Sequence, residues 1–447
     1  MNRRIEAWDK RYVWHPFTQM RDWNRDPVVV IERGQGNWLI DTRGRRYLDG
    51  VSSLWCNVHG HRVERIDRAV RDQLGRIAHS TFLGLSSVPA VRLARELVRI
   101  APKGLAKVFY ADSGSACVEV ALKMAFQYWR QKGVKGKDTF LKLKNAYHGD
   151  TLGSASVGGI PLFHGIYHPL FFKTYAADMP YRYRDRFEGS EEAYAEYCAD
   201  KVEAVLKKRH RRIAALIVEP LVQGAAGMLT QPRGYLKRLR ALTKRYGVLL
   251  IADEVATGFG RTGTMFACQH ENVTPDFLCA AKGITGGYLP LSATLTTEKV
   301  YRAFLGSYSD FKAFFHGHTY TANPLAAAAA LANLEIFRKE RTLQKLQPKI
   351  RLFTRELERM AALPHVGDVR QAGFMAGIEL VRDKRTKEPY PLSEKRGVRV
   401  GLAARKKGVM IRPLGNVIVL MPPLSITPAE LATLCRVTRE CIEEATR

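Results

Sequence analysis

The feature that most constrains this chain is a series of short apolar runs, separated by stretches with helical spacing, through its middle. Residues 213–218 read Ile-Ala-Ala-Leu-Ile-Val, and residues 248–252 read Val-Leu-Leu-Ile-Ala. A strand with one wet face alternates apolar and polar residues, so an unbroken run requires cover on both faces. Further strand-sized segments stand at 107–111, 139–143, 277–281 and 291–296, and helical spacing recurs at 115–132, from Glu191 onward, and at 234–246. Strands alternating with crossover helices imply a mostly parallel sheet with helices on both faces. At Asn323-Pro324 a long helix begins, with asparagine suited to the cap and proline to the first helical position. The pattern then changes. Helices at 346–363 and 393–407 are interleaved with short strands at 365–370, 374–381, 409–412 and 417–421, an α+β tail. The first 50 residues read as turn-rich, with strands at 28–32 and 37–41. The expectation is an α/β protein with a large sheet domain over 51–330 and a small α+β domain built from both ends, 1–50 and 331–447.

Composition narrows the function classes. With 46% hydrophobic and 26% charged residues, the chain has the balance of a soluble enzyme. No window approaches the ~20 apolar residues of a membrane helix, so no membrane partner is expected. The first twenty residues carry charges and no apolar core of a secretory signal. The seven cysteines are scattered, odd in number and free of C-x-x-C pairs, which favours a thiol-reducing cytoplasm. The net charge of +28 could mark a nucleic-acid binder. No RNP-like aromatic box, zinc finger or basic zipper accompanies it. The densest basic run, Lys207 to Arg212, closes a helical pattern, where cations suit the helix dipole. No nucleic-acid partner is therefore expected. The pairs His59/His61 and His316/His318 lack a further ligand to complete a metal set, so no metal is expected either.

In an open α/β sheet, ligands bind beyond the carboxyl ends of the strands. There the sequence places Asp253-Glu254, Lys282-Gly283, Asp112-Ser113-Gly114-Ser115, and Asn145-Ala146-Tyr147-His148-Gly149. Each alone is weak: a lysine or an aspartate after a strand is usually a solvated charge or a helix cap. Together they match pyridoxal phosphate. Its aldehyde needs a lysine amine, its pyridine nitrogen an anion, its phosphate the N–H groups of a helix N-terminus, and its ring an aromatic face. Lys282, Asp253, Gly114 with Ser115, and Tyr147 supply these in turn.

The run Asp253-Glu254-Val255-Ala256-Thr257-Gly258-Phe259-Gly260-Arg261-Thr262-Gly263, followed by Pro275-Asp276 and Ala281-Lys282-Gly283, resembles the signature of the class III aminotransferases. The resemblance covers nearly the whole chain. It implies fold-type I architecture, pyridoxal phosphate held by Lys282 with Asp253 as the pyridinium partner, small-molecule substrates, and a homodimer with shared sites. Trp14 to Thr18, Asp49 to Trp55, His316 to Tyr320, Ile411-Arg412-Pro413 and Met421-Pro422-Pro423 are similar to the branch of that class serving biotin synthesis. For that branch, Gly317, His318 and Thr319 match a segment that reaches the neighbouring subunit's cofactor phosphate. Arg412 matches the arginine for the substrate carboxylate, and Leu54 and Trp55 lie in the substrate wall with Tyr147, Lys282 and Gly317. Leu54 stands where some members have a second tryptophan, and Phe17 where some have tyrosine. The amino donor implied is S-adenosylmethionine, with the slimmer lysine as the alternative, and a broad ω-amino-acid or polyamine aminotransferase as the competing reading.

Overall fold

A computed structural model describes residues 2–447. Its centre is a seven-stranded sheet in the order Leu105–Ala111, Ser292–Thr297, Phe277–Ala280, Leu249–Asp253, Ile213–Val218, Thr139–Leu143, Thr174–Ala177. Only Ser292–Thr297 runs against its neighbours, and the remaining pairs of adjacent strands are parallel. Side chains of a strand alternate between faces, and the core divides accordingly. Leu216, Val218, Leu250 and Ala252 pack with helices Glu191–Arg209 and Tyr235–Arg245 on one face. Ile217, Leu249, Ile251, Phe277 and Cys279 pack with helix Gly114–Gln131 on the other. All six residues of Ile213–Val218 are buried, which is why that run has no polar position.

Helix Pro324–Lys339 begins as its sequence predicts, with the Asn323 side chain accepting from the N–H groups of Leu325 (3.0 Å) and Ala326 (3.1 Å). Within it, the buried Asn333 donates Nδ2 to the carbonyls of Gly283 and Ile284, fixing the segment just after Lys282. Two further sheets carry the ends of the chain. Ile31–Gln35, Trp38–Asp41 and Arg46–Asp49 form antiparallel pairs, and Val409–Met410 adds in parallel to Arg46–Asp49. Val366–Ala372, Met375–Asp383, Val417–Leu420 and Arg412–Leu414 form an antiparallel sheet backed by helices Thr342–Ala361 and Pro428–Thr446. The opening stretch differs from its turn-rich expectation: Asn2–Tyr12 and Met20–Arg25 are helical. No helix among the described residues is long and apolar enough to cross a membrane.

Candidate active site

Because most strands of the central sheet point the same way, the segments following Ala111, Leu143, Val218, Asp253 and Ala280 converge on one edge. A cavity of about 440 Å³ opens there, and Trp55, Gly114, Ser115, Tyr147, Asp253 and Lys282 all line it. Lys282 follows Phe277–Ala280 and adopts a left-handed backbone (φ 44°), unusual for a side-chain-bearing residue. Its Nζ makes no hydrogen bond or ion pair among the described residues and stands 5.7 Å from the centre of the Trp55 ring. Burial lowers the pKa of this amine, against the opposing pull of Asp253 and Glu219.

Asp253 ends its strand and is buried. Its Oδ1 accepts from the Val255 N–H (3.0 Å), and its Oδ2 pairs with His148 Nδ1 at 2.7 Å. The His148 side chain is fully buried, and its Nε2 has no partner among the described residues. A hydrogen on Nδ1 makes the ring the donor to the Asp253 carboxylate. Glu219, one residue past Ile213–Val218, is also buried in the cavity wall. It accepts from the N–H groups of Tyr147 and Gly224, each at 3.0 Å. Burial pushes its carboxyl up to about 7, with His148 opposing and Asp253 adding to the rise.

The helix Gly114–Gln131 aims its N-terminus at the cavity, capped by Ser113 Oγ on the Ala116 N–H (3.2 Å). Two glycines keep the backbone close here. A Cβ on Gly114 would lie 2.7 Å from Val255 Cγ1, and one on Gly149 (φ 123°) would lie 2.9 Å from the Ser115 Cα. The Tyr147 hydroxyl donates to Asp150 Oδ2 (2.7 Å), and burial raises its pKa, so it stays a neutral phenol. An unpartnered half-buried amine, a buried acid, free N–H groups at an 18-residue helix and an aromatic wall make a donor set that fits pyridoxal phosphate.

Several expected residues stand apart from this cavity. The segment with Gly317, His318 and Thr319 is exposed, and His318 Nδ1 bonds Asp112 Oδ2 (2.8 Å) at the rim. Leu54 is half exposed beside Trp55. Arg412 is exposed on its short strand, with no ion-pair partner among the described residues. Glu219 and His148 were not singled out from sequence. The strand-end argument that found Asp253 applies equally to Glu219, whose pairing with Pro220 reads only as a strand stop. His59 packs edge-on against Phe337, and His61 bonds Asp49 and Asn57. Among the described residues no group of three His, Cys, Asp or Glu side chains is placed to hold a metal.

The sheet and its crossover helices are those of a fold-type I pyridoxal-phosphate-dependent transferase. The chain belongs to the class-III aminotransferases, whose family model matches residues 20–442, and it is a pyridoxal-phosphate-dependent transaminase. It is 56% identical, over 98% of its length and 81% of the relative's, to an adenosylmethionine-8-amino-7-oxononanoate aminotransferase of Nitratidesulfovibrio vulgaris. It is 54% identical to the protein of that name from Aquifex aeolicus, over 98% of this chain and 97% of the relative. The crystal structure of the protein of that name from Methanocaldococcus jannaschii superimposes with a TM-score of 0.95 at 49% identity, over 99% of both chains. An omega transaminase from Pseudomonas jessenii, solved in complex with PMP, superimposes at 0.94 with 30% identity, over 99% of this chain and 98% of that one.

Proposed function

We propose that this enzyme moves an amino group from S-adenosylmethionine to 8-amino-7-oxononanoate, giving 7,8-diaminononanoate in biotin synthesis. The observation that carries this reading is likeness over nearly the whole chain to relatives bearing that activity in their names, at 54–56% identity. Pyridoxal phosphate, when bound, supplies an aldehyde that takes the amino group and a ring that takes up the electron pair freed at the donor carbon. In this proposal Lys282 Nζ holds the resting cofactor and then carries the proton from the donor carbon, helped by the lowered pKa of its buried amine. Asp253 keeps a proton on the ring nitrogen, and His148 orients that carboxylate from behind. The N–H groups of Gly114 and Ser115 would hold the phosphate, and Tyr147 would supply the aromatic face. One cavity serves both half-reactions, so the kinetics are ping-pong.

Trp55 and Leu54 form the wall on the amine side, and Gly317 of the neighbouring chain completes the mouth. Arg412, whose guanidinium is unpaired among the described residues, binds the acceptor's carboxylate. The enzyme works as a homodimer in which Gly317, His318 and Thr319 complete the neighbour's site. The exposed apolar side chains Tyr308, Phe311 and Phe315 just upstream are consistent with a covered surface. The chain divides into a large unit at 51–330 and a small one from 1–50 and 331–447. It acts in the cytoplasm, where seven free thiols stay reduced. The basic run at Lys207–Arg212 is surface charge rather than a nucleic-acid footprint, since Lys207 pairs with Glu203 and Arg212 forks onto Asp138.

The test is product formation. Purified enzyme with S-adenosylmethionine and 8-amino-7-oxononanoate should yield 7,8-diaminononanoate by mass spectrometry. Product with lysine alone as donor would overturn the donor. No product with either, but turnover of ω-amino acids with a simple keto acid, would overturn the acceptor as well.

A further inference from the structure

The segment that carries the amine-side wall is held in an unusual backbone. Ser52 (φ 52°), Ser53 (φ 61°) and Trp55 (φ 64°) are left-handed without being glycine. Such conformations persist only where the surroundings fix them. Ser52 Oγ donates to the Met421 carbonyl (2.7 Å), and Asp49 holds Ser53 directly, with His61 and Asn57 bracing Asp49 from behind. Asp49 is fully buried at the end of Arg46–Asp49. Its Oδ1 accepts from the Ser53 N–H (2.8 Å), and its Oδ2 accepts from Ser53 Oγ (3.0 Å) and from His61 Nε2 (3.2 Å). On the other side of the imidazole, Asn57 Nδ2 lies 3.1 Å from His61 Nδ1.

The direction of every proton in this chain of contacts is determined. The Gly60 N–H donates to Asn57 Oδ1 at 2.7 Å, so the carboxamide oxygen is fixed and Nδ2 must face the imidazole as donor. His61 Nδ1 is then the acceptor, and Nε2 carries the hydrogen given to Asp49. The His61 backbone is itself pinned, exchanging N–H···O bonds with Gly36 (2.6 and 3.1 Å) in the N-terminal hairpin. The imidazole thus ties Asp49, whose own N–H donates to the Asn37 carbonyl (2.9 Å), to the hairpin a second time.

We propose that Asp49, Asn57 and His61 are positioning residues that set the place of Leu54 and Trp55, and through them the choice of amino donor. This rests on the proposed function for the identity of the donor, not for the brace itself. His61→Phe keeps a ring of similar size but strips a donor from Asp49 and the acceptor from Asn57. His61→Gln retains one donor and one acceptor. Asn57→Ala breaks the same chain from the other end.

The readout is the ratio of half-reaction kcat/KM for S-adenosylmethionine over lysine, which is independent of how much enzyme is folded. His61→Phe and Asn57→Ala should each shift that ratio on the order of tenfold, and His61→Gln should return it to within about threefold of wild type. Hydrogen exchange of the Ser53 amide should quicken in both disruptive variants, while the dissociation constant for pyridoxal phosphate stays within about twofold of wild type. An unchanged ratio in cofactor-loaded His61→Phe and Asn57→Ala would overturn the proposal, and so would failure of His61→Gln to recover it. If the wild type accepts neither amine, the proposed donor fails, and the ratio for any two amines it does accept still tests the brace.

Discussion

Gly114→Ala is a sharp probe of the phosphate cradle, because the structure names both the clash and its remedy. The added methyl would sit 2.7 Å from Val255 Cγ1 and 3.3 Å from its Cγ2, closer than carbon atoms tolerate. Val255 cannot swing away freely: its N–H is bonded to Asp253 Oδ1, and its side chain packs with the core under helix Gly114–Gln131. Relieving an overpacked contact of this kind costs about 1–3 kcal/mol. Alanine's better helix propensity, at most about 1 kcal/mol, acts on the helix with and without cofactor alike and so cancels in the affinity. If the strain is relieved by moving the helix N-terminus, it appears as lost cofactor affinity, about fivefold to a hundredfold, since 1.4 kcal/mol is a factor of ten. Equilibrium dialysis of the apoenzyme against pyridoxal phosphate measures this. The double variant Gly114→Ala/Val255→Ala removes the opposing methyls, so the two changes should be strongly non-additive and affinity should largely return. Unaltered affinity in Gly114→Ala, or no recovery in the double variant, would refute the argument that this close approach shapes the cradle.

Lys282→Ala should lower transamination by about 10²–10⁴-fold while the apoprotein still takes up pyridoxal phosphate through the helix N-terminus, as dialysis would show. Glu219 carries a pH signature in the apoenzyme. Its carboxyl lies at about 7 in the fold against an ordinary 4.5, so the fold favours the protonated form. The stability this gives is complete below about 4.5 and lost as pH rises through about 7, about 3 kcal/mol in all. Glu219→Gln should flatten that part of the thermal-midpoint profile, and an equally steep decline in the variant would count against it. Arg412→Ala should raise KM for the keto acid roughly tenfold, about 1–2 kcal/mol because the guanidinium is exposed, with little change in the amine half-reaction.

The sequence was most legible where burial is complete. The strand expected at 213–218 coincides with Ile213–Val218, because cover on both faces leaves no polar residue to blur the ends, and the one expected at 139–143 coincides with Thr139–Leu143 although Thr139 and the half-buried Lys142 interrupt its apolar run. Thr174–Ala177 leaves little trace: it is an edge strand of four residues, largely half-exposed, whose apolar part is only Tyr175 to Ala177. The helices Asn2–Tyr12 and Met20–Arg25 were hidden by composition, for the second buries no residue and its sequence, Met-Arg-Asp-Trp-Asn-Arg, shows no apolar face. Helix Thr342–Ala361 starts four residues before the expected Leu346, since Arg341 in a left-handed conformation turns the chain into it. In the site, Lys282 and Asp253 were readable because each follows a buried strand. His148 was not, since its contact with Asp253 spans 105 positions and leaves no local pattern. Arg412 and the 317–319 segment came only through family resemblance, and neither lines the cavity of a single chain.

The central claim is that one cavity takes an amino group from S-adenosylmethionine and gives it to 8-amino-7-oxononanoate. Its most direct test is the pair of half-reactions, run separately on the yellow holoenzyme and followed by absorbance. S-adenosylmethionine alone should bleach the yellow band stoichiometrically, and 8-amino-7-oxononanoate, added after the donor is removed, should restore it. A band that S-adenosylmethionine leaves untouched, or a bleached enzyme that the keto acid cannot recolour, would contradict the account.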